Sequence, residues 1–326
     1  DIWWTAENVM KSAVHLLPAT EFELDHDAKA FVDQQETFLK KLMGIPIAKV
    51  PTSGSLSTKK VRFEESAVAT MLLSFVKRGL AREKVEVAMI QSGAIRAGAD
   101  YAPGAPFLMG DLFSEFAFDC HQAIIDVPGR IIVASVQSTR SAPKPAANFL
   151  HLDDGCVVQY NPDHDTDGVE QHKLIMLNGQ PVDLDRVYRV AIYQFLLTGL
   201  NVIEPLLSYV REYVKVPDVE SCRPVKDIVM ECCMKDAWRQ LIGRNHWDGL
   251  HHSAETKAEM ASAIKRAFEE MDTAQDGFVH PDELESYMKG KQSICNNHAL
   301  IVQMIRTLDQ NGDGKLSMKE LTAIAI

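Results

Sequence analysis

Between Asp309 and Glu320 the chain reads Asp-Gln-Asn-Gly-Asp-Gly-Lys-Leu-Ser-Met-Lys-Glu, and few twelve-residue segments leave less choice of fold. Side-chain oxygens recur at loop positions 1, 3 and 5, from Asp309, Asn311 and Asp313. Gly314 at position 6 permits a sharp turn. Lys315 offers its carbonyl at position 7, and Ser317 at position 9 can ligate directly or through water. Glu320 at position 12 closes the set with two oxygens. Calcium is a hard cation that takes about six to eight oxygens, and a loop of this design wraps one ion. The segment must therefore be a bent loop between two helices, with apolar Leu316 at position 8 free to pair with a second loop.

These positions match the EF-hand consensus. A second loop runs from Asp272 to Glu283 and keeps Asp272, Asp276, Gly277, the pairing residue Val279 and Glu283. Phe278 supplies the position-7 carbonyl, but Ala274 replaces the position-3 ligand and His280 stands at position 9. Fewer oxygens predict a weaker calcium site, or a loop kept only to pair with its neighbour. Apolar stripes before each loop, Ile264, Phe268 and Met271 and then Met304, Ile305 and Leu308, suit the core of such a pair.

The chain has 326 residues, 46% hydrophobic, and a formal net charge of −11, enough for two or three domains. That acidic balance argues against nucleic acid as the main partner and suits cations. No apolar run approaches the ~20 residues of a membrane span. Six cysteines (Cys120, Cys156, Cys222, Cys232, Cys233 and Cys295) lack C-x-x-C spacing, which argues against zinc and favours a reducing, cytoplasmic compartment. The opening DIWWTAENVM has no signal-peptide pattern. The numbering is expected to start inside a longer product or after a processing cut.

From residue 21 to about 216, helical and strand periods alternate, which predicts an α+β domain. Glu64–Leu80 has helical spacing; Val85–Ile90, His121–Val127 and Val187–Ile192 read as strands, and Arg130–Gln137 as a helix. Ser141–Asn148 and Asn161–Gly168 read as loops. Residues 1–20 are expected to be a helical lead-in and 217–254 a helical connector. Gln91–Gly98 follows a buried strand, so Arg96 emerges where α/β ligands gather, a weak anion signal on its own. Arg62 precedes a helix, and Phe118 and Phe195 end predicted elements, where phenylalanine is most often a core residue.

Taken in order, IPIAKVP (45–51), VRFEES (61–66), QSGAIR (91–96), GDLFSEFAF (110–118), NFLHL (148–152) and YRVAIYQFLLTG (188–199) resemble the C-terminal domain of the 5′-nucleotidase / UDP-sugar hydrolase family. The resemblance spans about residues 21–215. It implies a mixed-sheet domain in which a nucleotide base stacks between Phe118 and Phe195. Arg62, Arg96 and the Gln91–Arg96 turn, Gly93 included, would meet sugar or phosphate oxygens. Gln91, Ser92 and Ala94 depart from the family's Asn-Gly-Gly, and Gly199-Leu200-Asn201-Val202 from its Gly-Gly-Asp-Gly, with Asn201 at the aspartate. The family's catalytic metallophosphoesterase domain precedes this one, and the ~20 residues before the match are too few to supply it. Gly243–Asp248 resembles the family's Gly-Asn-His metal motif but is broken by Arg244, and reads as a polar connector.

The expected architecture is thus a mixed-sheet α+β domain of the 5′-nucleotidase C-terminal type over 21–216, followed by an all-α EF-hand pair over 255–326. The expected function is that of a calcium-binding, non-catalytic part of a longer nucleotidase-family chain, binding a nucleoside or nucleotide weakly or not at all on its own. The alternative is a calcium-responsive scaffold component, held in a larger assembly by a protein partner.

Overall fold

The computed structural model describes residues 1–140, 149–161, 172–199, 202–242, 254–291 and 298–325. The chain divides into two compact units, Asp1–Lys41 and Leu42–Ile326. In the first, β1 (Ile2–Trp4) and β2 (Met10–Ser12) form an antiparallel hairpin, with Trp3 opposite Lys11. This corrects the expected helical lead-in. Ile-Trp-Trp is a β-branched and aromatic run that favours extended chain, and Asn8 takes the left-handed turn conformation at φ 63°. Helix α1 (His26–Met43) starts after Asp25, whose Oδ1 accepts from the amides of Asp27 and Ala28.

The second unit begins with β3 (Pro46–Lys49), α2 (Ala67–Gly79), β4 (Val87–Gln91), β5 (Pro106–Leu108) and α3 (Met109–Glu115). It continues through β6 (His121–Pro128), α4 (Gly129–Arg140), β7 (Leu150–Leu152), β8 (Val157–Tyr160) and β9 (His172–Leu177). Next come β10 (Gln180–Pro181), β11 (Val187–Tyr193), α5 (Gln194–Leu197), α6 (Glu204–Tyr213), β12 (Arg223–Pro224) and α7 (Val225–Leu241). The central sheet runs β12-β6-β11-β4-β7, parallel only between β11 and β4. Every residue of β4 is buried, as its unbroken apolar run requires of a strand covered on both faces. A buried ion pair fastens this region: Lys77 Nζ of α2 lies 2.9 Å from Asp153 Oδ1, and Asp153 Oδ2 accepts from the Ala88 amide of β4 at 2.7 Å.

Residues 217–254 were expected to connect. Instead α7 is part of the core, with Ile228, Val229, Cys233, Met234 and Trp238 all buried. Buried side chains surround this helix on more than one face, so it reads with weak amphipathic period and packs on both sides. On one side lies α2. A β-carbon at Gly79 would stand 2.7 Å from Ile228 Cγ2 and 2.9 Å from the Ile228 carbonyl oxygen, so only glycine admits this approach. Cys232 and Cys233 behave as small apolar residues, and the five described cysteines (120, 156, 222, 232 and 233) are free thiols.

The C-terminal part holds α8 (Ala254–Met271), β13 (Phe278–Val279), α9 (Pro281–Lys291), α10 (His298–Leu308), β14 (Leu316–Ser317) and α11 (Met318–Leu321). A 3₁₀ turn, Thr322–Ala325, follows. Val279 pairs with Leu316 across β13 and β14, which joins the two loops as their position-8 residues anticipate. α7 also packs against α10: the Trp238 indole N–H donates to the Met304 carbonyl at 3.1 Å. Among the described residues no helix is long and apolar enough to cross a membrane.

His151 in β7 is fully enclosed and donates through Nε2–H to the Val61 carbonyl at 2.7 Å. Burial pushes its pKa down to about 3, and the charge of Arg140 acts in the same direction. An unfolded chain binds that proton near pH 6.5, so between these values protonation favours unfolding, and stability falls as pH falls. His151→Gln keeps an amide donor for Val61 and does not titrate. In urea unfolding, wild type should lose about 1.5 kcal/mol more than His151→Gln between pH 6.5 and 5. Parallel losses in the two proteins would contradict a neutral buried His151.

Candidate functional site

Strand pairing decides which loops share an edge. Because β11 runs parallel to β4, with Ile192 beside Met89, their carboxyl ends lie side by side. Antiparallel β6 and β7 start at that same edge, with Gln122 opposite Tyr193 and Leu150 opposite Gln91. The edge therefore gathers the Gln91–Arg96 turn, Phe118 before β6, Phe149 before β7, and Phe195 in the short α5. Carboxyl ends of parallel strands are the usual ligand position in α/β sheets.

Both candidate phenylalanines are exposed, Phe118 to 56% and Phe195 to 43%, so the core reading of them does not hold. Phe118 precedes β6 and Phe195 follows β11, both beyond the paired residues of those strands. The Arg96 guanidinium lies over the Phe118 ring at 5.2 Å, and Tyr193 meets Phe195 edge-on at 5.5 Å. Gln91 is buried, and its Oε1 accepts the Gly93 amide, which folds the turn onto its own first residue. The turn is tied sideways by the Ser92 amide, donating to the Phe149 carbonyl at 2.8 Å. Arg62 is half-buried and is positioned by Val61, whose carbonyl His151 holds. Asn201 and Leu200 lie outside the described residues, as do 141–148, most of the 161–168 turn and the Gly243–Asp248 segment.

One residue behind this edge escaped sequence reasoning. Glu115, at the end of α3, is fully buried. Its Oε1 accepts from the Tyr101 hydroxyl at 2.7 Å and the Thr58 hydroxyl at 2.8 Å, and Oε2 from the Ala97 amide at 3.3 Å. Its own carbonyl accepts from the Arg96 amide at 2.8 Å. Glu115 thus holds the segment on which Arg96 rides. Burial raises its carboxyl pKa, while the hydroxyl and amide donors pull it back down. Its spacing of three from buried Leu112 was the available signal that it faces inward.

The two loops differ in readiness for a cation. In the second, Asp309 Oδ1 accepts the Gly312 amide at 2.7 Å and Oδ2 the Gly314 amide at 2.8 Å, with both glycines at positive φ. Glu320 is buried; Oε1 accepts from the Gln310 amide and Oε2 from the Ser317 amide and hydroxyl. These amide and hydroxyl bonds hold its carboxyl pKa low despite burial. Asp313 Oδ1 accepts the Lys315 amide, leaving the Lys315 carbonyl as the main-chain donor for an ion. The oxygen-only set of Asp309, Asn311, Asp313, Lys315, Ser317 and Glu320 fits calcium by its chemistry. Among the described residues no three His, Cys, Asp or Glu side chains form a metal cluster, so an ion here would depend on the Asn, Ser and main-chain oxygens as well.

The first loop is arranged similarly, with Asp272 accepting the Asp276 and Gly277 amides and Glu283 accepting those of Ala274 and His280. Yet Gln275 takes φ 56° where the second loop has Gly312, a strain on a residue with a β-carbon. The His280 ring bonds Asp276 Oδ2 at 2.9 Å, which raises the His280 pKa and lowers that of Asp276. That contact occupies an oxygen a cation would need. The position-7 side chains meet across the pair, Lys315 Nζ lying 3.5 Å from the Phe278 ring centroid.

Comparison with known proteins bears on both regions. A family model described as the 5′-nucleotidase C-terminal domain matches residues 46–206, and one described as an EF-hand domain pair matches 261–326. No curated protein sequence matches the chain. Among solved structures, a 5′-nucleotidase precursor from Thermus thermophilus aligns at 17% identity and TM-score 0.47, over 71% of this chain and 45% of its own. A putative 5′-nucleotidase from Staphylococcus aureus aligns at 13% identity and TM-score 0.47, over 70% and 45% respectively. The chain spans less than half the length of these structures. With the mixed sheet below its loop-bearing edge and two paired loops beyond α7, the chain carries a 5′-nucleotidase C-terminal domain followed by an EF-hand domain pair.

Proposed function

We propose that the chain holds a nucleoside or nucleotide at the carboxyl edge of its central sheet, as the substrate-binding part of a 5′-nucleotidase-type protein, and binds calcium in its second loop. The carrying observation is that Phe118 and Phe195, both exposed, stand at one sheet edge with the Arg96 guanidinium on the first of them. A flat base stacks on such faces, and guanidinium forks suit sugar and phosphate oxygens. In this reading Arg62 and Arg96 meet those oxygens, and Gln91 and Gly93 shape the turn. Ser92 and Ala94, in place of glycines, keep the affinity weak. The chain's own residues here bind and orient; phosphoester hydrolysis belongs to the larger fold of which this is a part.

Calcium in the second loop would take oxygens from Asp309, Asn311, Asp313, the Lys315 carbonyl, Ser317 and Glu320. The first loop, with Asp272, Asp276, the Phe278 carbonyl, His280 and Glu283, is the weaker site because Ala274 supplies no oxygen. The free thiols support a reducing compartment.

Titrating the chain calorimetrically with AMP and with adenosine, in calcium and in chelator, tests the sheet-edge site. Heat should appear in wild type and weaken roughly tenfold or more in Phe195→Ala, since stacking on an aromatic ring contributes about 1–3 kcal/mol. A silent titration with calcium binding intact would replace this reading with the calcium-responsive scaffold. For the loops, Glu320→Gln should weaken the tighter calcium site roughly tenfold or more, and Ala274→Asp should tighten the weaker one. Calcium isotherms unchanged by both substitutions would contradict the ligand assignment.

A further inference from the structure

We propose that α7 is the resident target helix of the EF-hand pair, so that calcium in the second loop and the seating of α7 against the nucleotidase domain are coupled. EF-hand pairs of the sensor kind open an apolar groove that receives an amphipathic helix. Here a helix of the same chain already lies against the second hand of the pair. α7 packs against α10, the helix that runs directly into Asp309, and against the 3₁₀ turn that follows Glu320. Both flanks of the second loop therefore rest on one helix. The Asp309 amide donates to the Ile305 carbonyl at 2.9 Å, so α10 is continuous up to the first candidate calcium ligand.

The contact is directional as well as apolar. Fully buried Trp238 donates its indole N–H to the Met304 carbonyl at 3.1 Å, five residues ahead of Asp309. Met304, Ile305, Leu308 and Leu321 of the pair are buried, while α11 itself is only four residues long. With so short an exit helix, α8 and α7 together supply the surface against which the loop's exit side is held. α7 also meets α2 at the Gly79–Ile228 approach, and α2 packs directly on β4 and β7. Two packed helices, α7 and α2, thus stand between the calcium loop and the strands whose ends form the ligand edge.

Calcium requires Asp309 and Glu320 to reach one ion, and α7 fixes the elements that carry them. Seating of α7 therefore raises calcium affinity, and by linkage calcium strengthens the seating of α7. The inference rests on the calcium reading of the second loop.

Calcium titration of the full chain, with hydrogen exchange of Val225–Leu241 followed in calcium and in chelator, tests the coupling. Trp238→Phe keeps the aromatic filling and removes the donor; its calcium dissociation constant should rise about fivefold, the usual worth of one buried hydrogen bond. In wild type, calcium should slow exchange along α7, and Glu320→Gln should abolish that slowing. Two results would overturn the coupling with calcium binding intact: wild-type or tighter affinity in Trp238→Phe, or slowing confined to residues 309–325. A chain that takes up no calcium at all would remove the underlying reading and the coupling with it.

Discussion

The parallel pairing of β4 with β11 is the constraint on which the rest of the α+β body depends. Two parallel neighbours must send their chains out at the same end, and antiparallel β6 and β7 then begin there. Four connections converge on one edge because of that pairing. The buried Lys77–Asp153 pair stabilises the arrangement from below, since Asp153 also takes the Ala88 amide of β4. Removing either partner would strand a charge in a dry interior. The loop edge is thus free to carry polar and aromatic groups because its register is set elsewhere.

Polar groups near that edge are arranged in layers. Gln91 folds back on Gly93, Glu115 gathers Thr58, Tyr101 and Ala97, and Arg140, almost fully buried, reaches the Leu150 carbonyl at 2.8 Å while its guanidinium stacks on Phe149. Most of these bonds reach a neighbour on another segment of the chain, which is how such groups stay compatible with burial. The exposed ring faces of Phe118 and Phe195 are what remains unsheltered.

Much of this was legible in the sequence, for identifiable reasons. The calcium loops were legible because a cation's demand for oxygens fixes residue types at fixed spacing, independent of tertiary context. The strands around Val87, His121 and Val187 were legible because they are buried and bounded by turn residues. The exposure of Phe118 and Phe195 was not, since it depends on where the sheet ends, which no local pattern encodes. Nor was α7: buried against two partners, it has apolar residues on several faces, and its period is too weak to separate a core helix from a connector. The opening residues misled in the other direction, with a Trp-rich run that pairs as a hairpin where a helix was expected.

The glycine at the end of α2 has a consequence of its own. At Gly79 two helices from different parts of the chain touch almost backbone to backbone, and one of them, α7, is also covered by α10 and the turn after Glu320. A fragment ending near residue 242 would uncover Trp238 and its apolar neighbours to water. The border between the two family regions is therefore no clean seam: the EF-hand pair covers a wall that α7 forms between them.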